Sequence, residues 1–235
     1  MSEEFRDRVV IVTGASGGIG SATVEVFIRA GARVGLFARS RQKLETLAAA
    51  YGSRALAVAG DVSDPADVER LFAGVESQMG ACDVLVNCAG ITAPERLVDT
   101  EPAAWDRVLA VNLRGAYLTT RRALPAMIAR RSGAIVNVSS ISGVIGPEKF
   151  PGYVSYCASK AALIAMTEAL AVEVGSQGVR VNCVSPGSVD TKMWAAAGGG
   201  APAAMTAHEV AESILFLASE RSRPMNGQNL RLWSV

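Results

Sequence analysis

The sequence predicts an α/β fold: a doubly wound, parallel, seven-stranded sheet with helices on both faces, formed by one domain over residues 1–235. Short β-branched or apolar runs alternate with longer stretches of helical periodicity, which implies strands joined by right-handed helical crossovers. The strand-like runs are apolar throughout rather than at every second residue, as strands covered on both faces require. No composition break, long linker or internal repeat divides the chain, and 235 residues suit a single large sheet.

The elements follow in order. Strands are expected at Val9 to Thr13, Arg33 to Ala38, Ala55 to Ala59, Val84 to Asn87, Ala134 to Ser139, Val179 to Val184 and Asn229 to Trp233. Between them, helical periodicity covers Ile19 to Ala30, Arg41 to Tyr51, Pro65 to Met79, Glu101 to Ala129, Tyr156 to Ser176 and Ala207 to Ser219. The stretch from Ala195 to Ala204 is rich in alanine, and its Gly198-Gly199-Gly200 run stops a helix and predicts a loop. Thr206 and Glu209 form a capping box that opens the last helix. His208, the lone histidine, is thereby explained as a first-turn residue.

Composition narrows the class of protein. Half the residues are apolar, the net charge is +1 and there is no basic tail, which argues against nucleic acid or an anionic membrane as the main partner. Met1 to Arg8 is polar and charged without the apolar centre of a signal peptide, and no apolar run reaches membrane-spanning length, so a cytoplasmic protein is expected. Cys82, Cys88, Cys157 and Cys183 lie in or beside apolar segments without metal-type spacing; reduced thiols and no metal site are expected.

Two local patterns carry chemistry. Thr13-Gly14-Ala15-Ser16-Gly17-Gly18-Ile19-Gly20 lies where the first strand passes into the first helix, the context in which a glycine-rich turn binds a pyrophosphate. Gly14, Gly18 and Gly20 let the backbone approach phosphates, while the free N–H groups of the helix start supply donors. An acid at the end of the second strand would accept bonds from the ribose hydroxyls of NAD, but Phe37-Ala38-Arg39-Ser40-Arg41 stands there instead. Glu25 and Glu45 are the only acids between Gly20 and Asp61, both inside helical patterns. Guanidinium groups suit a 2′-phosphate, so NADP(H) is the preferred cofactor, with Arg39 the main contact, Arg41 a second and NAD(H) the alternative.

In the second pattern, Tyr156-Cys157-Ala158-Ser159-Lys160 stacks a phenol and an ammonium one helical turn apart on the same face. A cation beside a tyrosine favours the phenolate and lowers its pKa toward neutrality, which makes the pair a proton-transfer device. Ser139 and Ser140 end the strand upstream and compete for one position beside it.

Taken together, these motifs resemble the short-chain dehydrogenase/reductase family over almost the entire chain. TGASGGIG at Thr13 to Gly20 is similar to the family's glycine turn, Asp61-Val62 to its adenine-facing acid, and Asn87-Cys88-Ala89-Gly90 to its NNAG segment with cysteine second. Asn112 in Val111-Asn112-Leu113, Asn137-Val138-Ser139-Ser140, the Tyr156 and Lys160 pair and Pro186-Gly187 complete the series in order. The resemblance implies a Rossmann-type fold and a catalytic set of Asn112, Ser140, Tyr156 and Lys160. It implies cofactor contacts from Gly14, Ser16, Gly17, Gly18, Ile19, Gly20, Arg39, Asp61 and Val62. Further contacts are implied for Asn87, Ala89, Gly90, Tyr156, Lys160, Pro186, Gly187, Val189 and Thr191.

The implied reaction interconverts a carbonyl and a secondary alcohol. Tyr156 gives the proton, Lys160 lowers its pKa and holds the nicotinamide ribose, Ser140 orients the substrate oxygen, and Asn112 holds a water that links Lys160 to solvent. Tyr153 is excluded from the proton-donor position because Cys157, not lysine, stands four residues on. The helix from Tyr156 leaves little polar face; with the family likeness this implies a homotetramer in which that helix and the one carrying Asn112 meet a second subunit.

Three departures bear on the substrate. Gly146 to Gly152 lengthens the connection between Ser140 and Tyr156 and brings Phe150 or Tyr153 to the pocket rim, the substrate loop at about 188–206 offers only Met193 and Trp194 as bulky groups, and Trp233 stands where relatives place an acid. The broad likeness to the ketoreductases of fatty-acid biosynthesis favours a 3-oxoacyl thioester on acyl carrier protein. The alternatives are a sugar, a steroid or another small alcohol, or a nucleotide-sensing protein without turnover.

Overall fold

The computed structural model of the protein describes residues 4–146, 149–196 and 202–233. Pro147, Glu148 and Gly198 to Gly200, within the expected loops, lie outside the described residues. The strands are β1 Val9–Thr13, β2 Arg33–Ala38, β3 Ala55–Ala59, β4 Val84–Asn87, β5 Gly133–Val138, β6 Val179–Pro186 and β7 Asn229–Leu232. They form one parallel sheet in the order β3-β2-β1-β4-β5-β6-β7. The chain first builds outward from β1 to β3, then returns to lay β4 on the other side of β1. That reversal opens a crevice at the carboxyl ends of β1 and β4, where doubly wound sheets bind ligands.

Alternate strand residues enter opposite cores. Val10, Val12, Val34, Leu36, Val84, Val86, Val136 and Val138 face α1 (Gly18–Arg29), α2 (Arg41–Ala49) and α8 (Ala207–Ala218), through Val24, Phe27, Leu44, Ile214 and Leu217. Val9, Ile11, Leu85, Ile135, Val179 and Val181 face the helices of the other side, α3 (Pro65–Gln78), α5 (Gly115–Ala129) and α6 (Val154–Val174), through Leu71, Phe72, Met127, Ala171 and Val174. This two-sided burial is why the strands read as unbroken apolar runs.

The helix expected from Glu101 to Ala129 is instead α4 (Pro102–Leu109), a π-helical turn (Ala110–Arg114) and α5 in succession. Periodicity carries no signal for one extra residue in a turn, and such π turns concentrate at functional sites. α6 starts at Val154, two positions before Tyr156, and the short α7 (Lys192–Ala196) was not foreseen. The Thr206–Glu209 capping box is present, with Thr206 Oγ1 accepting from Glu209 N at 3.3 Å and Glu209 Oε2 accepting from Thr206 N at 2.7 Å. No helix among the described residues is long and apolar enough to cross a membrane.

Candidate active site

The crevice at the β1–β4 switch is a cleft of about 540 Å³. Its floor begins with the glycine turn, where Gly14 has φ +69° and a Cβ would stand 2.9 Å from Ala89 Cα. At Gly20 a Cβ would stand 2.1 Å from Gly14 O, so the turn closes only on bare backbone. No side chain caps the start of α1 and no acid occupies its first turn, which leaves N–H donors and the positive end of the dipole toward the cleft. Thr13 Oγ1 accepts from the N–H groups of Cys88 and Ala89, both at 3.1 Å, and so fixes the β4 loop against this turn. A cradle made of main chain at a helix start fits a dinucleotide pyrophosphate. Ser16, Gly17, Gly18, Ile19, Ala89, Gly90 and Thr191 line the same cleft.

One end of the cleft is basic. Arg39, Ser40 and Lys43 line it beyond β2, and no acid stands among residues 37–43. Lys43 was missed in the sequence, although its place four residues after Arg39, in the first turn of α2, was a readable signal. Arg41, expected as a second contact, does not reach the cleft; it points along α2 to Glu45 at 3.6 Å, because one residue further on the helix turns its side chain away.

Asp61 and Val62 line the cleft beside this end. The Asp61 carboxylate is already heavily bonded: Oδ1 accepts from Ser63 N at 2.9 Å and Ser63 Oγ at 2.7 Å, and Oδ2 accepts from Arg107 at 2.7 Å. Its pKa falls to about 2: burial works upward, but the bonds from Ser63 and Arg107 together outweigh it. Arg107 comes from α4, remote in sequence, and nothing in the sequence pointed to it.

The other end holds the tyrosine. Tyr156 and Lys160 both line the cleft, one turn apart on α6 as the spacing predicts. Lys160 is buried and donates from Nζ to Val138 O at 2.8 Å, while its Nζ lies 5.8 Å from the centroid of the Tyr156 ring. Burial lowers the Lys160 pKa and pushes the Tyr156 phenol up to about 12. This corrects the expected acidification. The ammonium spends a hydrogen on a carbonyl, and desolvation decides the phenol. The one favourable contact is Ser140, whose hydrogen bond to the phenol draws the pKa back down.

The serine pair divides its work. Ser139 Oγ donates to Lys160 O at 2.8 Å and ties the end of β5 to α6. Ser140 is the residue beside Tyr156, and its Oγ accepts from Ser142 N at 3.1 Å. The turn carrying it packs so closely on α6 that a Cβ at Gly143 would stand 2.6 Å from Lys160 C.

Other expected residues stand behind the wall rather than on it. Asn112, in the π turn, accepts from Ile91 N at 2.8 Å and donates to Ile91 O at 2.9 Å and Ser159 Oγ at 3.0 Å. Both its amide hydrogens are used, so only its oxygens remain for the expected water. A Cβ at Gly90 would stand 3.3 Å from Lys160 Nζ and 3.5 Å from Asn112 Oδ1, which puts these two groups side by side. Asn87 does not line the cleft: it donates to Thr120 and Asn137 at 3.1 and 2.9 Å and accepts from Thr119 at 2.6 Å, a buried chain between sheet and α5. Pro186 and Gly187 are held against Leu232, and Val189 is buried in the core and bridged to Met205, so these three shape the loop behind the cleft.

The family model for short chain dehydrogenases matches residues 8–200. The chain is 37% identical over 234 residues to a 3-oxoacyl-[acyl-carrier-protein] reductase of Thermotoga maritima, covering 94% of each chain. It is 38% identical over 242 residues to a 2-(R)-hydroxypropyl-CoM dehydrogenase of Xanthobacter autotrophicus, covering 95% of this chain and 96% of the relative. Among solved structures, a 3-ketoacyl-(acyl-carrier-protein) reductase of Brucella melitensis complexed with NADH superposes with a TM-score of 0.89 at 31% identity, covering 97% of each chain. With this topology, glycine turn and cleft, the chain belongs to the short-chain dehydrogenase family, whose members oxidise or reduce CH–OH and carbonyl groups with NAD(P)(H).

Proposed function

We propose that the protein is an NADP(H)-dependent ketoreductase whose substrate is a 3-oxoacyl thioester, carried on acyl carrier protein. The observation that carries this reading is the convergence of Ser140, Tyr156 and Lys160 at one end of a cleft whose other end presents Arg39 and Lys43 at the end of β2, where an NAD-selective acid would stand. Support for the acyl substrate comes from the two loops joined by the bond from Glu95 N to Gly152 O and from the start of α6, which leave Leu97, Val98, Ile145, Phe150 and Val154 as exposed apolar side chains. An apolar surface suits an acyl chain better than a sugar.

When bound, the nicotinamide supplies the hydride that reduces the carbonyl carbon. The glycine turn holds the pyrophosphate, Asp61 and Val62 flank the adenine, and Arg39 with Lys43 pairs with the 2′-phosphate. Ala89, Gly90 and Thr191 extend the cradle toward the reacting end. Tyr156 gives its phenolic proton to the substrate oxygen, being protonated at neutral pH as any phenol is. Ser140 donates to the same oxygen, a bond that strengthens as negative charge develops. Lys160 restores the proton to Tyr156, and Asn112 holds the water through which Lys160 reaches solvent. The non-catalytic alternative has no use for this convergence.

The subunit works as part of a homotetramer in the cytoplasm. Leu109, Leu113, Tyr117, Ala162 and Met166 line an apolar groove between the α4–α5 segment and α6, and Ala161, Ala165, Ala169 and Val172 are exposed along α6 with Glu168 and Glu173 beside them. The four unpaired thiols fit a reducing compartment.

The test follows NADPH oxidation against acetoacetyl thioesters, sugars and steroid ketones. Turnover of the thioesters with a Michaelis constant for NADPH well below that for NADH is expected. Equal constants would remove the cofactor preference, and activity confined to sugars or steroids would remove the acyl substrate.

A further inference from the structure

Two buried hydroxyls on the loops before α6 and after β4 have no hydrogen-bond partner among the described residues: Tyr153 Oη and Thr92 Oγ1. A buried hydroxyl left unpaired is unfavourable, and where it persists beside a site it awaits a ligand atom. Neither residue lines the cofactor cleft. Tyr153 immediately precedes α6, and its ring meets the Tyr156 ring edge-on, with centroids 6.2 Å apart and an interplanar angle of 83°. On its outer side Phe150 packs against it at 6.5 Å and reaches the surface. The three rings thus run from solvent to Tyr156, and the middle one carries the unpaired, buried hydroxyl. Thr92 belongs to the facing loop, which is tied to this one where Glu95 N donates to Gly152 O at 2.9 Å.

Resting on the ketoreductase reading above, we infer that the Tyr153 hydroxyl binds substrate: it donates to a second, uncharged oxygen two bonds beyond the carbon next to the reacting carbonyl. The site therefore selects 1,3-dioxygenated compounds, in which one oxygen sits between Ser140 and Tyr156 while the other reaches Tyr153. An ionised carboxylate is disfavoured as that second group, because the aromatic wall offers it no paired cation: Lys149 donates instead to the carbonyls of Val144 and Ile141. The acyl oxygen of a 3-oxo ester or thioester meets the requirement, whereas a simple ketone leaves the hydroxyl unpaired.

The experiment compares wild type with Tyr153→Phe, using NADPH with ethyl acetoacetate and with 2-hexanone, and records the melting temperature of each protein. The variant keeps the ring and removes only the hydroxyl. The expected result is a fall in kcat/KM of about tenfold for the ester, the worth of one neutral hydrogen bond, and less than about twofold for the ketone, at an unchanged or raised melting temperature. Equal falls on both compounds, or no fall on either, would overturn the inference and leave the ketoreductase reading standing. A clear drop in melting temperature would show that the hydroxyl is paired inside the protein, with the same consequence. A wild type that reduces neither compound, nor an acetoacetyl thioester, would overturn the ketoreductase reading and this inference together.

Discussion

Tyr156 sits under opposing influences, burial raising its pKa to about 12 and Ser140 drawing it down. Because the folded value lies above the ordinary phenol value of about 10, the folded state holds this proton more tightly than the unfolded chain. The associated stability is present below the unfolded value and is lost as pH rises through about 12. Ultraviolet titration of the cofactor-free protein up to about pH 10.5 should therefore give the same phenolate signal for wild type and Tyr156→Phe, since the buried phenol lies about a unit or more above that range; a smaller signal in the variant would refute the burial argument. The same substitution should lower turnover by about 10²–10⁴-fold or more, the usual worth of a general acid, with NADPH binding measured by fluorescence nearly unchanged. At the basic end, Arg39→Ala should raise the Michaelis constant for NADPH by roughly tenfold or more, the scale of one charge-assisted bond, and leave that for NADH within about twofold. The glycine turn, the tyrosine and the lysine were legible because their chemistry needs fixed residue types at fixed spacing. The direction of the tyrosine's shift was not: it depends on how deeply the ring is buried and on what the ammonium is bonded to, neither of which spacing encodes.

At the scale of elements, the fold was open to reading wherever burial imposed a period. β1 through β4 begin and end where the apolar runs do, because both faces of each strand are covered. The π turn at Ala110–Arg114 was hidden, since one inserted residue does not disturb a helical pattern long enough to be noticed. Yet that segment positions two parts of the site, Asn112 at Ile91 and, just before it on α4, Arg107 at Asp61. Removing Arg107 should raise the Michaelis constant for the dinucleotide without changing the maximal rate. It should also move acid unfolding to higher pH. The depressed Asp61 carboxyl contributes stability that is present above the unfolded value of about 4 and is lost as pH falls through about 2; without Arg107 that loss begins earlier. Circular dichroism against pH would show it, and an unmoved midpoint would remove Arg107 from the account. The turn behind Ser140 is equally constrained: Gly143→Ala forces a methyl onto the Lys160 backbone and should lower the melting temperature by several degrees, as overpacking costs about 1–3 kcal/mol.

Across the whole molecule, the doubly wound parallel sheet was legible from the alternation of elements, whereas the order of its strands was not, since alternation fits more than one order and the return of β4 to the other side of β1 is a tertiary choice. α6 reads as apolar nearly all round; in the fold Leu163, Ala171 and Val174 turn to the sheet while Ala161, Ala165 and Val172 turn outward, the last 85% exposed. The apolar groove beside that outer face is the surface on which the tetramer proposal rests. Placing a charge in the adjoining groove, as in Met166→Glu, should shift light scattering at micromolar concentration from the tetramer toward smaller species, and a monomeric wild type would end the proposal.

The bond from Glu95 N to Gly152 O joins two loops that are otherwise separate in sequence. The bond couples the two segments, so that displacing one carries the other with it unless the bond breaks. Deuterium uptake at the Glu95 amide should therefore read how often they part.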